Sequence, residues 1–115
     1  MTPAAAVLVV DDDRDLRDTL TAVLEHEGYQ VRCAENGAQA LAIMQRSNPS
    51  AVVLDLSMPV MSGWELLQIV REDIDLRRVP LIVLSGMRAP AGITCLHKPV
   101  SIDDLVSTID RVRRR

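Results

Sequence analysis

Residues 50–63 read Ser-Ala-Val-Val-Leu-Asp-Leu-Ser-Met-Pro-Val-Met-Ser-Gly, and no other stretch constrains the fold as much. Residues 51–54 are a continuous apolar run without polar alternation, the pattern of a strand buried on both faces. The run ends on one carboxylate, Asp55, and Pro59 and the Ser62-Gly63 pair mark a loop just beyond it. A strand buried on both faces belongs to a parallel sheet covered by helices, and such sheets bind ligands at the carboxyl ends of their strands. Asp55 therefore stands where a site is expected. A carboxylate there also suits a plain cap of the strand or of the following helix.

The rest of the chain alternates in the way that strand demands. Residues 6–10 are apolar and end in Asp11, Asp12 and Asp13. Leu16, Leu20, Val23 and Leu24 recur at helical spacing, and Gly28 suits the residue just past the helix end. Residues 29–33 read as a short strand. Asn36 suits the cap of a second helix with Ala40, Leu41 and Met44 on its apolar face. After the central strand, Ser62 or Gly63 opens a helix carrying Trp64, Leu67 and Val70. Residues 80–84 form a fourth strand, with Pro80 tolerated at its first position, and residues 93–96 a weak fifth. Ser101 caps a last helix whose stripe is Leu105, Ile109 and Val112. The basic residues 111–115 suit a helix C-terminus, where cations complement the dipole. This βαβ alternation predicts an α/β fold, a doubly wound parallel sheet of five strands with helices on both faces.

A chain of 115 residues makes one domain, here residues 1–115, large enough to bury a core without staples. It has no phenylalanine, one Trp and one Tyr, so the core must be aliphatic. A net charge of −3 and a pI near 5.3 argue against nucleic acid as a partner. No apolar run reaches membrane-spanning length, and no basic segment precedes the N-terminal alanines as in a signal peptide. Cys33 and Cys95 are far apart and suggest no disulfide framework, so a cytoplasmic location is the default expectation.

In a parallel sheet the strand ends share one edge. That edge would carry Asp11 and Asp12 from the first strand, Asp55 from the third, Ser85 from the fourth and Lys98 from the fifth. Three carboxylates brought together repel unless a cation joins them. A few hard oxygen ligands suit Mg²⁺, which keeps several waters and often shares its site with a phosphate. Lys98 is the only lysine of the chain, and its compact ammonium suits a phosphoryl oxygen.

At these residues the chain resembles the receiver domain of two-component response regulators. The matching motifs are Val9-Val10-Asp11-Asp12, the segment from Asp55 through Met58-Pro59 to Gly63, Leu84-Ser85-Gly86, and Lys98-Pro99. They span essentially the whole chain in the order of the family, so chance agreement is a poor explanation. The resemblance implies a flavodoxin-like sheet in the order 2-1-3-4-5, the order general knowledge attaches to this fold. It implies that Asp55 takes a phosphoryl group from a histidine kinase or phosphotransfer protein and forms an acyl phosphate. It implies Mg²⁺ bound by Asp12, Asp55 and the backbone carbonyl of Ser57, with Asp11 acting through water. Lys98, Ser85 and the backbone N–H groups of Leu56, Ser57 and Gly86 would meet the phosphoryl oxygens. The only chemistry implied is phosphorylation and dephosphorylation of Asp55 itself, not turnover of a separate substrate. A downstream protein target, without nucleic acid or membrane, completes the implied partners, and the Lys98–Pro99 bond is expected to be cis.

Two features depart from the family. Cys95 occupies the switch position where an aromatic ring is usual, and a small buried hydrophobe is its plainer reading over a redox sensor. Strands two and five would be opposite sheet edges, which excludes a Cys33–Cys95 disulfide. Only residues 86–92 join strands four and five, where the family fits a full helix. A helical crossover takes ~12 or more residues. Residues 86–92 reach only ~23 Å when extended, so this helix is expected to be missing or a single turn. Two rival classes deserve comparison. A degenerate receiver, binding partners without phosphorylation, would lack an acid or the lysine, and all are present. A phosphatase that uses an aspartyl phosphate would want a second Asp where Ser57 stands. Flavin fits poorly, because Asp11, Asp12 and Asp13 would repel its phosphate.

Overall fold

The structure is a computed structural model and describes residues 6–55, 63–86 and 93–113. Its elements follow in the order β1 (Val7–Val10), α1 (Arg14–His26), β2 (Val31–Ala34), α2 (Gly37–Arg46), β3 (Ala51–Asp55), α3 (Gly63–Glu72), a 3₁₀ turn (Leu76–Arg78), β4 (Leu81–Ser85), β5 (Thr94–His97) and α4 (Ile102–Arg113). The five strands are all parallel and lie in the order β2-β1-β3-β4-β5. This is the flavodoxin-like sheet expected from the sequence.

The continuous apolar runs explain which strands are central. Every residue of β1 and β3 is buried, because helices cover both faces of the sheet there. Alternate residues feed two separate cores. Leu8, Val10, Val52, Leu54 and Val83 pack with Ala40 and Met44 of α2 and with Leu66 and Val70 of α3. Val7, Val9, Val53, Ile82 and Leu84 pack with Leu20 and Leu24 of α1 and with Leu105, Ile109 and Val112 of α4. Both cores are aliphatic, as a chain without phenylalanine requires.

Local signals hold the helix ends. Asp13 caps α1, its Oδ1 accepting from the N–H groups of Asp15 at 3.0 Å and Leu16 at 3.2 Å. Asn36 caps α2 through the N–H of Gln39 at 2.9 Å. Gly28 follows the end of α1 with φ +94°, a conformation open to glycine. Ser101 caps α4 more loosely, through the N–H of Asp104 at 3.4 Å.

Several expectations need correction. Trp64, read from the sequence alongside Leu67 and Val70 of α3, is 42% exposed. Leu66, Leu67 and Val70 form the buried stripe, and Trp64 lies roughly a third of a turn from its centre. Strand boundaries move by one or two residues: β2 starts at Val31, β4 at Leu81 and β5 at Thr94. Pro80 precedes β4, where its carbonyl still accepts from Val52 N–H at 2.9 Å although the ring has no N–H to give. The 3₁₀ turn was not foreseen. Asp73 makes it, its Oδ1 accepting from Asp75 N–H at 2.8 Å and Leu76 N–H at 3.0 Å.

Among the described residues no helix falls between β4 and β5. The helix expected to be missing or one turn falls on residues 87–92, which lie outside the described residues. The Lys98–Pro99 bond is cis, as expected. Among the described residues no helix is long and apolar enough to cross a membrane.

Candidate functional site

The site grows from the carboxyl ends of four strands. Asp11 follows the last residue of β1, and its N–H extends the ladder by donating to Ala34 O at 3.1 Å. Asp55 is the last residue of β3, paired in register with Leu84 of β4. Ser85 ends β4 opposite His97 of β5. Lys98 follows, its N–H donating to Ser85 O at 3.0 Å. Sheet hydrogen bonds thus fix the backbone under Asp11, Asp55, Ser85 and Lys98.

The three consecutive aspartates divide the work. Asp11 points inward and is 1% exposed. Its Oδ1 accepts from Asp13 N–H at 2.9 Å, while Arg17 holds the Asp11 carbonyl through Nη1 at 2.8 Å. Asp12 is exposed beside it, and Asp13 turns away to cap α1. The carboxylates of Asp11, Asp12 and Asp55 offer oxygens that all lie within 4.8 Å of one another. Lys98 Nζ sits 3.1 Å from Asp55 Oδ1, with Asp55 buried and the lysine partly exposed.

This crowding leaves an electrostatic mark. Burial pushes the Asp11 carboxyl up to about 6, and the charges of Asp55 and Asp12 push the same way. The Asp13 N–H and the Lys98 ammonium oppose the rise without cancelling it. Among the described residues, Asp11 Oδ2 is the buried side-chain atom with no hydrogen-bond partner. A buried carboxylate oxygen without a donor is costly. A hard cation among three oxygen donors would satisfy it, so the residues present fit Mg²⁺.

The comparisons with known proteins agree with this geometry. The family model for the response regulator receiver domain matches residues 7–110. The chain belongs to the receiver domain family of two-component response regulators. It is 34% identical to response regulator MprA of Mycobacterium sp. (strain KMS) across 95% of its own length. It spans about half the length of that relative, the alignment covering 50% of it. Protein PilH of Pseudomonas aeruginosa is 32% identical, with 94% of this chain and 97% of PilH covered. Among solved structures, the chemotaxis protein CheY4 of Vibrio cholerae superposes with a TM-score of 0.84 at 32% identity, covering 96% of this chain and 99% of CheY4. A putative response regulator from Chloroflexus aurantiacus gives a TM-score of 0.89 at 28% identity, covering 98% of this chain and 100% of that one.

The receiver domain thus brings Asp11, Asp12, Asp55, Ser85 and Lys98 to one sheet edge. Gly86 follows Ser85 in a bend at that edge. Leu56 and Ser57 lie outside the described residues. Cys95 is expected to be a small buried hydrophobe. It is half-buried, packed against the core on the α2–α3 face, where burial raises its thiol and keeps it from ready ionisation. Cys33 and Cys95 stand on β2 and β5, the two opposite sheet edges, and both are free. Asp13 and Arg17 were not singled out from the sequence. An Asp directly before a helical run is a readable cap signal, whereas nothing in the local pattern marks Arg17 as the clamp of the Asp11 carbonyl.

Proposed function

We propose that this receiver domain is a phosphoacceptor that takes a phosphoryl group onto Asp55 from a phosphohistidine of a histidine kinase or phosphotransfer protein. One observation carries the reading: three carboxylates share a small volume with one ammonium, and the buried Asp11 Oδ2 has no partner. That set is short of positive charge by itself and suits a site that receives both a cation and a phosphoryl group.

Asp12 and Asp55 would hold Mg²⁺ together with the Ser57 carbonyl, and Asp11 would hold it through water. Bound there, Mg²⁺ supplies charge neutralisation for the transferred phosphoryl oxygens. The chain's own residues do the rest. A carboxylate oxygen of Asp55 attacks phosphorus as the phosphorus–nitrogen bond of the donor breaks, and the imidazole leaves with the bonding pair. Burial and the Lys98 ammonium, 3.1 Å away, position that carboxylate. Lys98 then has a new anion to meet, and the Ser85 hydroxyl and the N–H groups of Leu56, Ser57 and Gly86 are the neutral donors. Such transfer is mainly positioning and charge neutralisation, so no external substrate need be turned over. Dephosphorylation returns Asp55 to its starting state. The phosphorylated form alters binding to a downstream protein. The kinase needs ATP, which puts the domain on the cytoplasmic side.

Incubation with acetyl phosphate and Mg²⁺ tests the reading. The protein should gain one phosphoryl group by intact-mass measurement, and Asp55→Asn should gain none. Undiminished labelling of Asp55→Asn would overturn the assignment of the acceptor.

A further inference from the structure

The opposite end of the sheet carries a second feature. At the amino ends of β3, β4 and β5 a cleft of about 650 Å³ opens between α3, the 3₁₀ turn and the start of β5. Its floor is aliphatic, with Leu67, Leu81 and Ile93. Leu81 and Ile93 are only half-buried, unlike the matching residues of β1 and β3. Its rim carries Arg71, Arg77, Arg78 and Arg113, and among the described residues no carboxylate lines it.

Ordinary structural duties account for part of this charge. Arg71 and Arg113 lie in the last turns of α3 and α4, where a cation complements the helix dipole, and Arg113 also lies over the Tyr29 ring at 4.7 Å. Arg77 and Arg78 have no such duty, since a three-residue turn has almost no dipole. Among the described residues no carboxylate pairs with Arg71, Arg77 or Arg78. Of the acids in the same segment, Glu72 accepts from Gln68 Nε2 at 3.3 Å and Asp73 spends its Oδ1 on the backbone of the turn, and neither they nor Asp75 line the cleft. Residues 71–78 hold as many acids as arginines, but the described lining of the cleft takes only the arginines, which leaves cations around an apolar floor.

We propose that this cleft docks an acidic, aliphatic segment of a partner protein, its carboxylates meeting Arg71, Arg77 and Arg78 and its aliphatic side chains covering the half-buried Leu81 and Ile93. Charge complementarity selects the partner. Arginine forks bind carboxylates in pairs of hydrogen bonds, and an amphipathic helix laid in a groove presents its apolar and acidic residues side by side. The proposal does not rest on phosphotransfer, because the cleft and the acidic cluster lie at opposite ends of the strands.

The probe is a synthetic peptide of leucine and glutamate with leucines at helical i, i+3, i+4 spacing, titrated against the isotope-labelled full chain. Binding should shift amide signals of residues 67–81 and 93–94 and weaken with added salt. Arg77→Gln/Arg78→Gln, two exposed positions, should lower affinity, and adding Arg71→Gln should bring the loss to about tenfold or more. A peptide with lysine for glutamate should not bind, and one with serine for leucine should bind more weakly. Failure of the leucine–glutamate peptide to bind, equal binding of the lysine peptide, or shifts confined to the Asp55 edge would each overturn the proposal. So would binding of phosphatidylglycerol vesicles without any binding of the peptide.

Discussion

The two ends of the sheet differ in charge and in how that charge is placed. At the carboxyl end, Asp11 directly follows β1 and Asp55 ends β3, the two strands buried throughout, and both are themselves buried. At the amino end, Arg71, Arg77 and Arg78 stand on a helix terminus and a short turn and are exposed. Charges fixed on buried strands are forced to interact whatever the solvent does. Charges on exposed termini are screened and act only when a partner excludes water. The first arrangement stores an unfavourable energy that a ligand can relieve, and the second offers a surface.

Core substitutions should break this comparison most sharply. Leu54 is fully buried one residue before Asp55, so Leu54→Ala should cost about 2–5 kcal/mol in denaturant unfolding. Ile93→Ala, on the half-buried floor of the cleft, should cost clearly less. Equal losses would mean that the amino-end cleft is as tightly packed as the centre.

The next effect concerns the stored energy at the carboxyl end. The Asp11 carboxyl titrates near 6 when folded and near 3.8 when unfolded, which makes its ionisation worth up to about 3 kcal/mol against folding in the metal-free protein. The folded state binds more protons than the unfolded one between these values. This contribution to stability is therefore favourable at about pH 4, declines as pH rises, and is lost above about pH 6. Asp11→Asn should remove the decline and raise metal-free stability at neutral pH. Its amide would keep the Asp13 contact and place a donor toward the neighbouring carboxylates. Urea melts in chelator from pH 4 to pH 8 would show it, and an unchanged pH slope in Asp11→Asn would count against Asp11 as the strained group.

A smaller shift should come from the cation. A Mg²⁺ ion held by Asp11, Asp12 and Asp55 would bind only their folded arrangement, so at ten times its Kd it should stabilise the chain by about 1.4 kcal/mol. Asp12→Asn should reduce that gain with little effect on metal-free stability, because Asp12 is exposed. A Mg²⁺-independent melting temperature would argue against the metal site.

The contrast between the two ends also explains what the sequence reveals. Asp11, Asp55 and Ser85 were legible because each ends an apolar run, and a parallel sheet puts such ends on one edge. The strand order came from the family resemblance, since periodicity alone does not order strands. Trp64 misled because hydrophobicity says nothing of which side of the α3 stripe a residue falls on until the whole stripe is counted from Leu66 to Val70. The 3₁₀ turn and the arginine cleft left no pattern. Their residues come from α3, the turn and the starts of β4 and β5, and only the folded chain makes them neighbours.

The smallest effect separates the three neighbouring aspartates. A view of Asp11, Asp12 and Asp13 as one acidic cluster predicts that removing any of their charges stabilises the metal-free protein. The geometry predicts otherwise. Asp13 accepts from two orphan N–H groups at the start of α1, and its charge also favours the helix N-terminus. Asp13→Ala should therefore destabilise by about 1 kcal/mol, whereas Asp11→Asn stabilises and Asp12→Asn is near neutral. Asp13→Asn, which keeps a capping oxygen without the charge, should restore most of the loss. Opposite signs at adjacent residues of one charge type would separate a cap from a ligand. If Asp13→Ala instead stabilised the chain as Asp11→Asn does, repulsion would dominate the whole run and the division of roles among the three aspartates would fall.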